Sequence, residues 1–127
     1  MSKIMQFGSS VFLHKNDVDD TNDASTSVAA DALVIPVTHG FVSKTSGADA
    51  EALTLADGVA GQLLVVSLTT AGGGACTLTP ATATGWATAV ITIVGDTLIL
   101  LYVDDDIGWI LLNTMGTAVA LDPLYTV

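Results

Sequence analysis

The chain has 127 residues, the size of one compact domain, and 13% of them are charged, where about 25% is usual. The formal net charge is -10, and there is no arginine. Because nothing in this composition can neutralise a row of phosphates, it argues against nucleic-acid binding and excludes attachment to an anionic membrane surface.

The scarcity of charge also bears on assembly. The charged side chains are partly bunched in short acidic clusters, so long stretches of the chain carry none. Bare apolar surface on that scale is typical of a binding interface. The composition therefore predicts a subunit that hides part of its surface against copies of itself or within a larger assembly.

Residues 1–27 are predicted to form an N-terminal arm and an acidic linker, ahead of a β domain at 28–127. The linker carries four aspartates and one large apolar residue, Val18, so it cannot build a core of its own. The arm before it suits a short strand or an extended peptide. Its branched aliphatic and aromatic residues are Ile4, Phe7, Val11, Phe12 and Leu13.

The first stretch of the β domain shows mixed signals. Residues 32–42 are rich in β-branched side chains, and Pro36 places them at the edge of a sheet or at a bulge. Residues 48–55 are the only stretch with helical character, for one or two turns at most. We expect a strand at residues 32–42 and no long helix at residues 48–55.

The middle of the chain alternates clearly. Residues 62–70 are predicted to form a strand, because apolar side chains recur at every second position on one face. Those side chains are Leu64, Val66 and Leu68. Three glycines at 72–74 predict a loop, and residues 76–79 predict a short strand that ends at Pro80.

Residues 87–94 and 97–103 flank Gly95 and Asp96, two residues of the kind that a tight hairpin needs. The pattern predicts an antiparallel hairpin whose two faces are both apolar. An antiparallel sheet usually has one wet face. The hairpin is therefore expected in the middle of a sandwich whose outer side is covered, or in a wall between subunits.

Connections throughout are turn-sized, and no amphipathic stretch of helical length separates the strands. The sequence thus predicts an all-β fold: a small antiparallel β-sandwich or barrel-like domain with an extended N-terminal arm. Within it, the 38 residues from 58 to 95 contain no charged side chain. That run is too interrupted by glycine, proline and threonine to span a bilayer, and is expected to supply core and assembly surface.

No metal or cofactor site is predicted. The aspartates at 17, 19, 20 and 23 alternate like calcium ligands, but Asn22 occupies the position of the required glycine and Val28 that of the bidentate glutamate. We interpret this cluster as a solvated loop and the aspartates at 104–106 as a turn. Two isolated histidines, His14 and His39, make a poor zinc site.

No catalytic set is predicted either. The glycine-flanked serine of a nucleophile elbow is absent, and the glycines at 72–74 lack the lysine of a phosphate-binding loop. Trp86 and Trp109 are candidate sugar platforms, but Trp86 stands at the start of the strand predicted at 87–94 and Trp109 within a strand predicted at 107–112, which favours packing in a core or interface. Cys76, the single cysteine, is expected to be a small buried apolar side chain.

Several motifs together resemble a module of structural proteins from tailed bacteriophages, especially head-decoration proteins and fibre-like appendages. The resemblance covers residues 58–116, about half of the chain, with a short motif just ahead of it. The motifs are Ala52-Leu53-Thr54-Leu55, the glycines at 58 and 61, Ala75-Cys76-Thr77-Leu78-Thr79-Pro80, Gly95-Asp96, and Gly108-Trp109-Ile110-Leu111 leading to Gly116.

The resemblance implies a non-enzymatic virion protein, commonly a homotrimer, on the outer capsid surface where it binds the major capsid protein. The apolar arm residues, Ile4 to Leu13, are then the candidate capsid contact. Two alternatives stay open. One is a trimeric head-fibre or tail-appendage protein, and the other is a carbohydrate-binding module that uses Trp86 or Trp109.

Overall fold

The computed structural model describes residues 24–121, and within that range it contains ten strands and no helix. The strands are β1 Ser25–Val28, β2 Val34–Ile35, β3 Phe41–Thr45, β4 Glu51–Leu55, β5 Leu63–Thr70, β6 Cys76–Pro80, β7 Trp86–Ile91, β8 Thr97–Tyr102, β9 Trp109–Met115 and β10 Ala118–Leu121. The predicted all-β fold is confirmed. None of the described residues belongs to a helix long and apolar enough to cross a membrane.

The strands form two five-stranded sheets that enclose one core, as in a small β-sandwich. Sheet A has the order β1-β3-β5-β8-β9, and sheet B has the order β10-β7-β6-β4-β2. The core contains seventeen buried apolar side chains drawn from both sheets. Along the strands, buried and more exposed residues alternate, so each sheet turns one face inward and one face outward.

The sheets are mixed and not purely antiparallel. Strands β1 to β6 alternate between the two sheets, so the chain winds around the core. Each time it returns to a sheet, the new strand runs in the same direction as the previous strand of that sheet. Consequently β1 with β3, β3 with β5, β2 with β4 and β4 with β6 are all parallel pairs. A parallel pair needs a crossover connection, and here a strand of the opposite sheet supplies it.

The hairpin predicted around Gly95 and Asp96 is wrong, because β7 lies in sheet B and β8 lies in sheet A. Asp96 is buried, and its Oδ2 accepts hydrogen bonds from the backbone N–H of Thr92 (2.8 Å) and Ile93 (3.0 Å). Gly95, at φ 103°, donates its N–H to Leu68 O of sheet A (2.9 Å). The turn therefore leads the chain across the sandwich instead of back along β7.

The helical character expected at residues 48–55 is also wrong, since β4 occupies 51–55. Glu51, Leu53 and Leu55 point inward and the residues between them are exposed, which is a period of two. Alanine, leucine and glutamate favour a helix in isolation, but pairing with β6 overrides that weak preference.

Other expectations are confirmed. Leu64, Val66 and Leu68 all lie in the core, and β6 lies where a short strand ending at Pro80 was predicted. Pro36 follows directly after β2, which is an edge strand of sheet B. The uncharged run at 58–95 supplies the middle strand of each sheet, β5 and β6.

Candidate functional site

The outer face of sheet A is apolar across four neighbouring strands. In one row Phe41 is opposite Val65, and Val65 is opposite Ile99. In the next row Leu63 is opposite Leu101, which is opposite Ile110. These six side chains are half-buried and alternate along their strands with the residues of the core. A row of small polar residues borders them: Ser43, Ser67 and Thr97.

The outer face of sheet B has a different chemistry. Its outward positions carry threonine and alanine, with valine at only two places. In register these residues are Val34, Thr54 and Thr79 in one row, and Ala52, Thr77, Val90 and Ala118 in another. Hydroxyl groups are thus exposed on this face, whereas sheet A carries the two apolar rows described above next to its polar row.

Charge is absent from the outward positions of both sheets. Among residues 24–121 every exposed charged side chain is an aspartate in a loop: Asp31, Asp49, Asp57, Asp104, Asp105 and Asp106. Lys44 is the one lysine in that range, and it is fully buried. The two charged residues within strands, Lys44 in β3 and Glu51 in β4, are both buried.

Buried Lys44 and Glu51 form an ion pair that sequence reasoning missed. Lys44 Nζ lies 2.7 Å from Glu51 Oε1 and also donates to the carbonyl oxygens of Ala29 and Ala32, each at 2.8 Å. Glu51 accepts further hydrogen bonds from the backbone N–H of Gly47 and Asp31. The pair joins β3 of sheet A to β4 of sheet B and holds the turn between β1 and β2.

The charged form of Glu51 is favoured in the folded chain. Burial by itself raises the pKa of this carboxyl, but the hydrogen bonds from Lys44 and the Gly47 backbone outweigh it, so the pKa lies below its ordinary value. A signal for the pair does exist in the sequence. Lys44 lies two residues after inward Val42, and Glu51 lies two residues before inward Leu53, so in strands both side chains point into the core.

Three aromatic residues pack at the opposite end of the sandwich. Trp109 and Tyr102 make an edge-to-face contact, with ring centroids 5.2 Å apart and planes at 70°. Trp109 Nε1 donates to Ala56 O (2.9 Å), and Trp86 Nε1 donates to Trp109 O (3.0 Å). Both tryptophans are buried, at 3% and 0% exposure, so packing in the core is confirmed and neither ring is a sugar platform.

The aspartates at 104–106 form a turn between β8 and β9, as predicted. Asp104 Oδ1 accepts from the backbone N–H of Asp106 (2.9 Å) and Ile107 (2.8 Å). Tyr102 donates its hydroxyl to Asp105 Oδ1 (2.7 Å). Burial, together with this hydrogen bond and the nearby negative charge, raises the pKa of Tyr102 to about 12.

The remaining candidates are local features. Cys76 is buried, as expected, and burial raises the pKa of its thiol. The glycine loop at 72–74 runs close to the loop after β3: a Cβ on Gly74 would collide with Asp49 O. His39 is hydrogen-bonded to Thr38 Oγ1 (2.9 Å). Within residues 24–121 no three His, Cys, Asp or Glu side chains are grouped as metal ligands.

The candidate capsid contact, Ile4, Phe7, Val11, Phe12 and Leu13, lies outside the described residues, as do His14 and the aspartates at 17–23. Strand β1 starts at Ser25, just ahead of position 28, where the sequence placed the start of the domain. No family model matches the chain, and no curated protein or solved structure was found to match it.

Proposed function

We propose that this chain is a non-enzymatic virion structural protein, a homotrimeric decoration subunit that binds the outer surface of a phage head and stabilises it. The observation that carries this proposal is the outer face of sheet A, where six apolar side chains lie in register without a charge among them. An apolar face of this kind is typical of a surface that contacts another protein.

The resemblance of residues 58–116 to phage head-decoration modules is the second argument for the phage assignment. Two residues of one motif that carries it, Gly108 and Trp109, have clear physical roles in this fold. Gly108, at φ 73°, closes the turn before Trp109 and lies against Thr82 O, where a Cβ would collide. Trp109 then fills the core between the sheets.

In this role the N-terminal arm is the contact to the major capsid protein. Its uncharged segment at 4–13 is long enough to add a strand to an exposed sheet edge of the coat.

If the proposal is right, the chain is encoded by a phage, and co-sedimentation with purified heads of that phage tests it. The full chain is expected to sediment with heads and to raise the temperature at which they release DNA. A variant without residues 1–15 is expected to keep the mass of the full-length oligomer but to stay in the supernatant. Retained head binding would refute the role of the arm, and no binding by the full chain would refute decoration.

A further inference from the structure

The apolar rows on the outer face of sheet A lie at the end of the sheet where the chain enters it. The carbonyl oxygen of Ala24 accepts hydrogen bonds from the N–H of Gly40 (3.1 Å) and of Phe41 (3.0 Å). Ser25, the first residue of β1, is paired with Phe41 and lies in the first apolar row. Residues 1–23 therefore join the domain directly beside the apolar rows.

The segment ahead of this entry point has a pattern that suits an extended peptide on an apolar surface. Residues 4–13 carry no charge. In an extended peptide successive side chains alternate between two sides, and here four of the five on one side would be apolar. These five are Met5, Phe7, Ser9, Val11 and Leu13. The opposite side has polar or small residues at its centre, at positions 6, 8 and 10, so the extended segment is amphipathic.

We infer that residues 4–13 lie as an extended strap across the apolar rows of sheet A in the chain that is not bound to a head. The inference goes beyond the proposed capsid contact, because it concerns the chain before it meets the coat. When the same segment adds a strand to the coat, the face that it leaves becomes available for contact on the head. That last step alone rests on the proposed function.

The chain ahead of β1 is long enough to form this strap. From β1 to β9 the sheet is four strand spacings wide, which is about 19 Å at about 4.8 Å each. Ten residues of extended chain reach about 33 Å. Residues 14–23 can therefore carry the segment over the face, and residues 4–13 can cross it from edge to edge.

Area and tethering favour the chain's own segment over a folded partner. The two apolar rows span four strands and about four residues along each strand, an area of about 250 Å². An interface of standard size between two proteins buries about 800 Å² on each partner. A tethered segment needs less area, because a short linker holds it near the face at an effective concentration of about millimolar. An uncharged peptide from elsewhere would have to reach that concentration to compete.

Charge favours one direction of crossing, from β1 towards β9. Lys3 stands directly before the segment, and the three aspartates at 104–106 follow β8 at the same end of sheet A, just after Leu101 of the second apolar row. A crossing in this direction brings Lys3 to those carboxylates. It leaves the aspartates at 17–23 beside β1, at least three strand spacings away, about 14 Å. That separation exceeds the screening length of about 8 Å in physiological salt, so the two acidic groups do not oppose the crossing.

Cysteine labelling in the absence of heads tests the strap. Val65→Cys puts a thiol among the apolar rows of sheet A, Thr79→Cys puts one on the outer face of sheet B, and native Cys76 is buried. Deleting residues 1–15 is expected to raise the rate of maleimide labelling at position 65 by about tenfold or more, because labelling of the full chain has to wait for the strap to open. The rate at position 79 is expected to stay unchanged.

Matched substitutions within the segment test the same contact without a deletion. Val11→Asp places a carboxylate on the side of the segment that faces the sheet, and Ser10→Asp places the same charge on the opposite side. Val11→Asp is expected to raise labelling at position 65 about as much as the deletion, because the strap could close only by burying an unpaired carboxylate. Ser10→Asp is expected to leave the rate near that of the full chain.

A cysteine pair identifies which copy supplies the segment. Val11→Cys combined with Val65→Cys is expected to cross-link with a bismaleimide within one chain, so the product keeps the mass of a single chain on a denaturing gel. Buried Cys76 stays unreactive in this variant. Products of twice that mass would mean that the segment comes from another copy, and would overturn its assignment to the same chain.

Two labelling results would refute the strap. One is equal labelling at position 65 with and without residues 1–15. The other is an equal acceleration at position 79, because the deletion would then loosen the whole domain and not uncover one face. Head co-sedimentation is scored separately: a protected position 65 in a chain that does not bind heads refutes decoration alone, and an unprotected position 65 in a chain that binds heads refutes the strap alone.

Discussion

The two halves of the β domain are held together in different ways. In β1 to β6 the chain coils between the sheets, neighbours are parallel, and the buried pair of Lys44 and Glu51 ties one sheet to the other. In β7 to β10 the strand pairs are antiparallel, and Trp86, Tyr102 and Trp109 fill the space between the sheets. One half thus depends on a specific polar contact, and the other on apolar area.

This difference has a physical reason. A buried ion pair repays the loss of hydration only when every donor and acceptor is matched, so it favours one arrangement of β1, β3 and β4 over others. Aromatic packing stabilises through contact area and tolerates changes of pH as long as no ring ionises. Substitutions and pH should therefore affect the two halves differently.

The largest effect is expected from Trp109→Ala in the aromatic half. The substitution removes a fully buried ring, the contact of that ring with Tyr102, and the Nε1–H donor to Ala56 O. It should lower the free energy of unfolding by about 3–5 kcal/mol. Urea denaturation followed by circular dichroism measures the loss. Leu112→Ala on the same strand is the control, and it should change stability by less than about 0.5 kcal/mol in the monomer.

A loss from Trp109→Ala no larger than that control would show that the aromatic cluster does not hold this half. The comparison requires a protein concentration at which both variants are monomeric, since Leu112 borders the apolar outer face of sheet A.

Removing one partner of the ion pair should cost almost as much. Glu51→Ala leaves Lys44 Nζ buried without its carboxylate, and a broken buried pair typically costs about 3–5 kcal/mol. Replacing both residues, as Lys44→Met with Glu51→Leu, should restore much of the stability, because two apolar side chains need no partner. A double variant as unstable as Glu51→Ala would contradict the view that the unpaired charge causes the loss.

Acid should selectively weaken the half of the domain that β1 to β6 form. The pKa of Glu51 is lower in the folded chain than in the unfolded chain, so its contribution is complete above the ordinary carboxyl pKa and is lost as pH falls through the folded value. The wild type should therefore lose more stability than the Lys44→Met, Glu51→Leu double variant between neutral pH and about pH 3. Parallel curves for the two proteins would exclude Glu51 as the titrating group.

Much of the fold could be predicted from the alternation of apolar residues, and much of the pairing could not. Residues 62–70 were predictable as a strand with Leu64, Val66 and Leu68 on one face, whereas residues 97–103 were predictable as a strand but not in their inward face, because both faces are apolar. Alternation says which way a side chain points and nothing about which sheet a strand joins. The crossing at Gly95 and Asp96 depends on a buried carboxylate that caps Thr92 and Ile93 and on the hydrogen bond from the Gly95 N–H to Leu68 O, which requires both sheets.

The surface was more predictable than the buried polar site. Two apolar faces on 97–103 already predicted that the outer side would be apolar, and Ile99 and Leu101 now lie on the outer face of sheet A. The partnership of Lys44 and Glu51 was missed because helical character was expected at residues 48–55, where strand β4 places Glu51 on the inward face. Only the assignment of β4 as a strand brings the two side chains into phase.

Alkali should have the smallest effect, on the aromatic half. Because the folded chain raises the pKa of Tyr102 to about 12, the neutral phenol contributes stability that is complete below its unfolded pKa near 10 and is lost as pH rises toward 12. Tyr102→Phe has no phenol to ionise, so its stability should fall less steeply over that window, although it also lacks the hydrogen bond to Asp105. Denaturation curves collected at several pH values across the window give the two slopes. Identical slopes would mean that Tyr102 ionises as freely in the folded chain as in the unfolded one, and the buried contact with Trp109 would then not isolate the phenol from water.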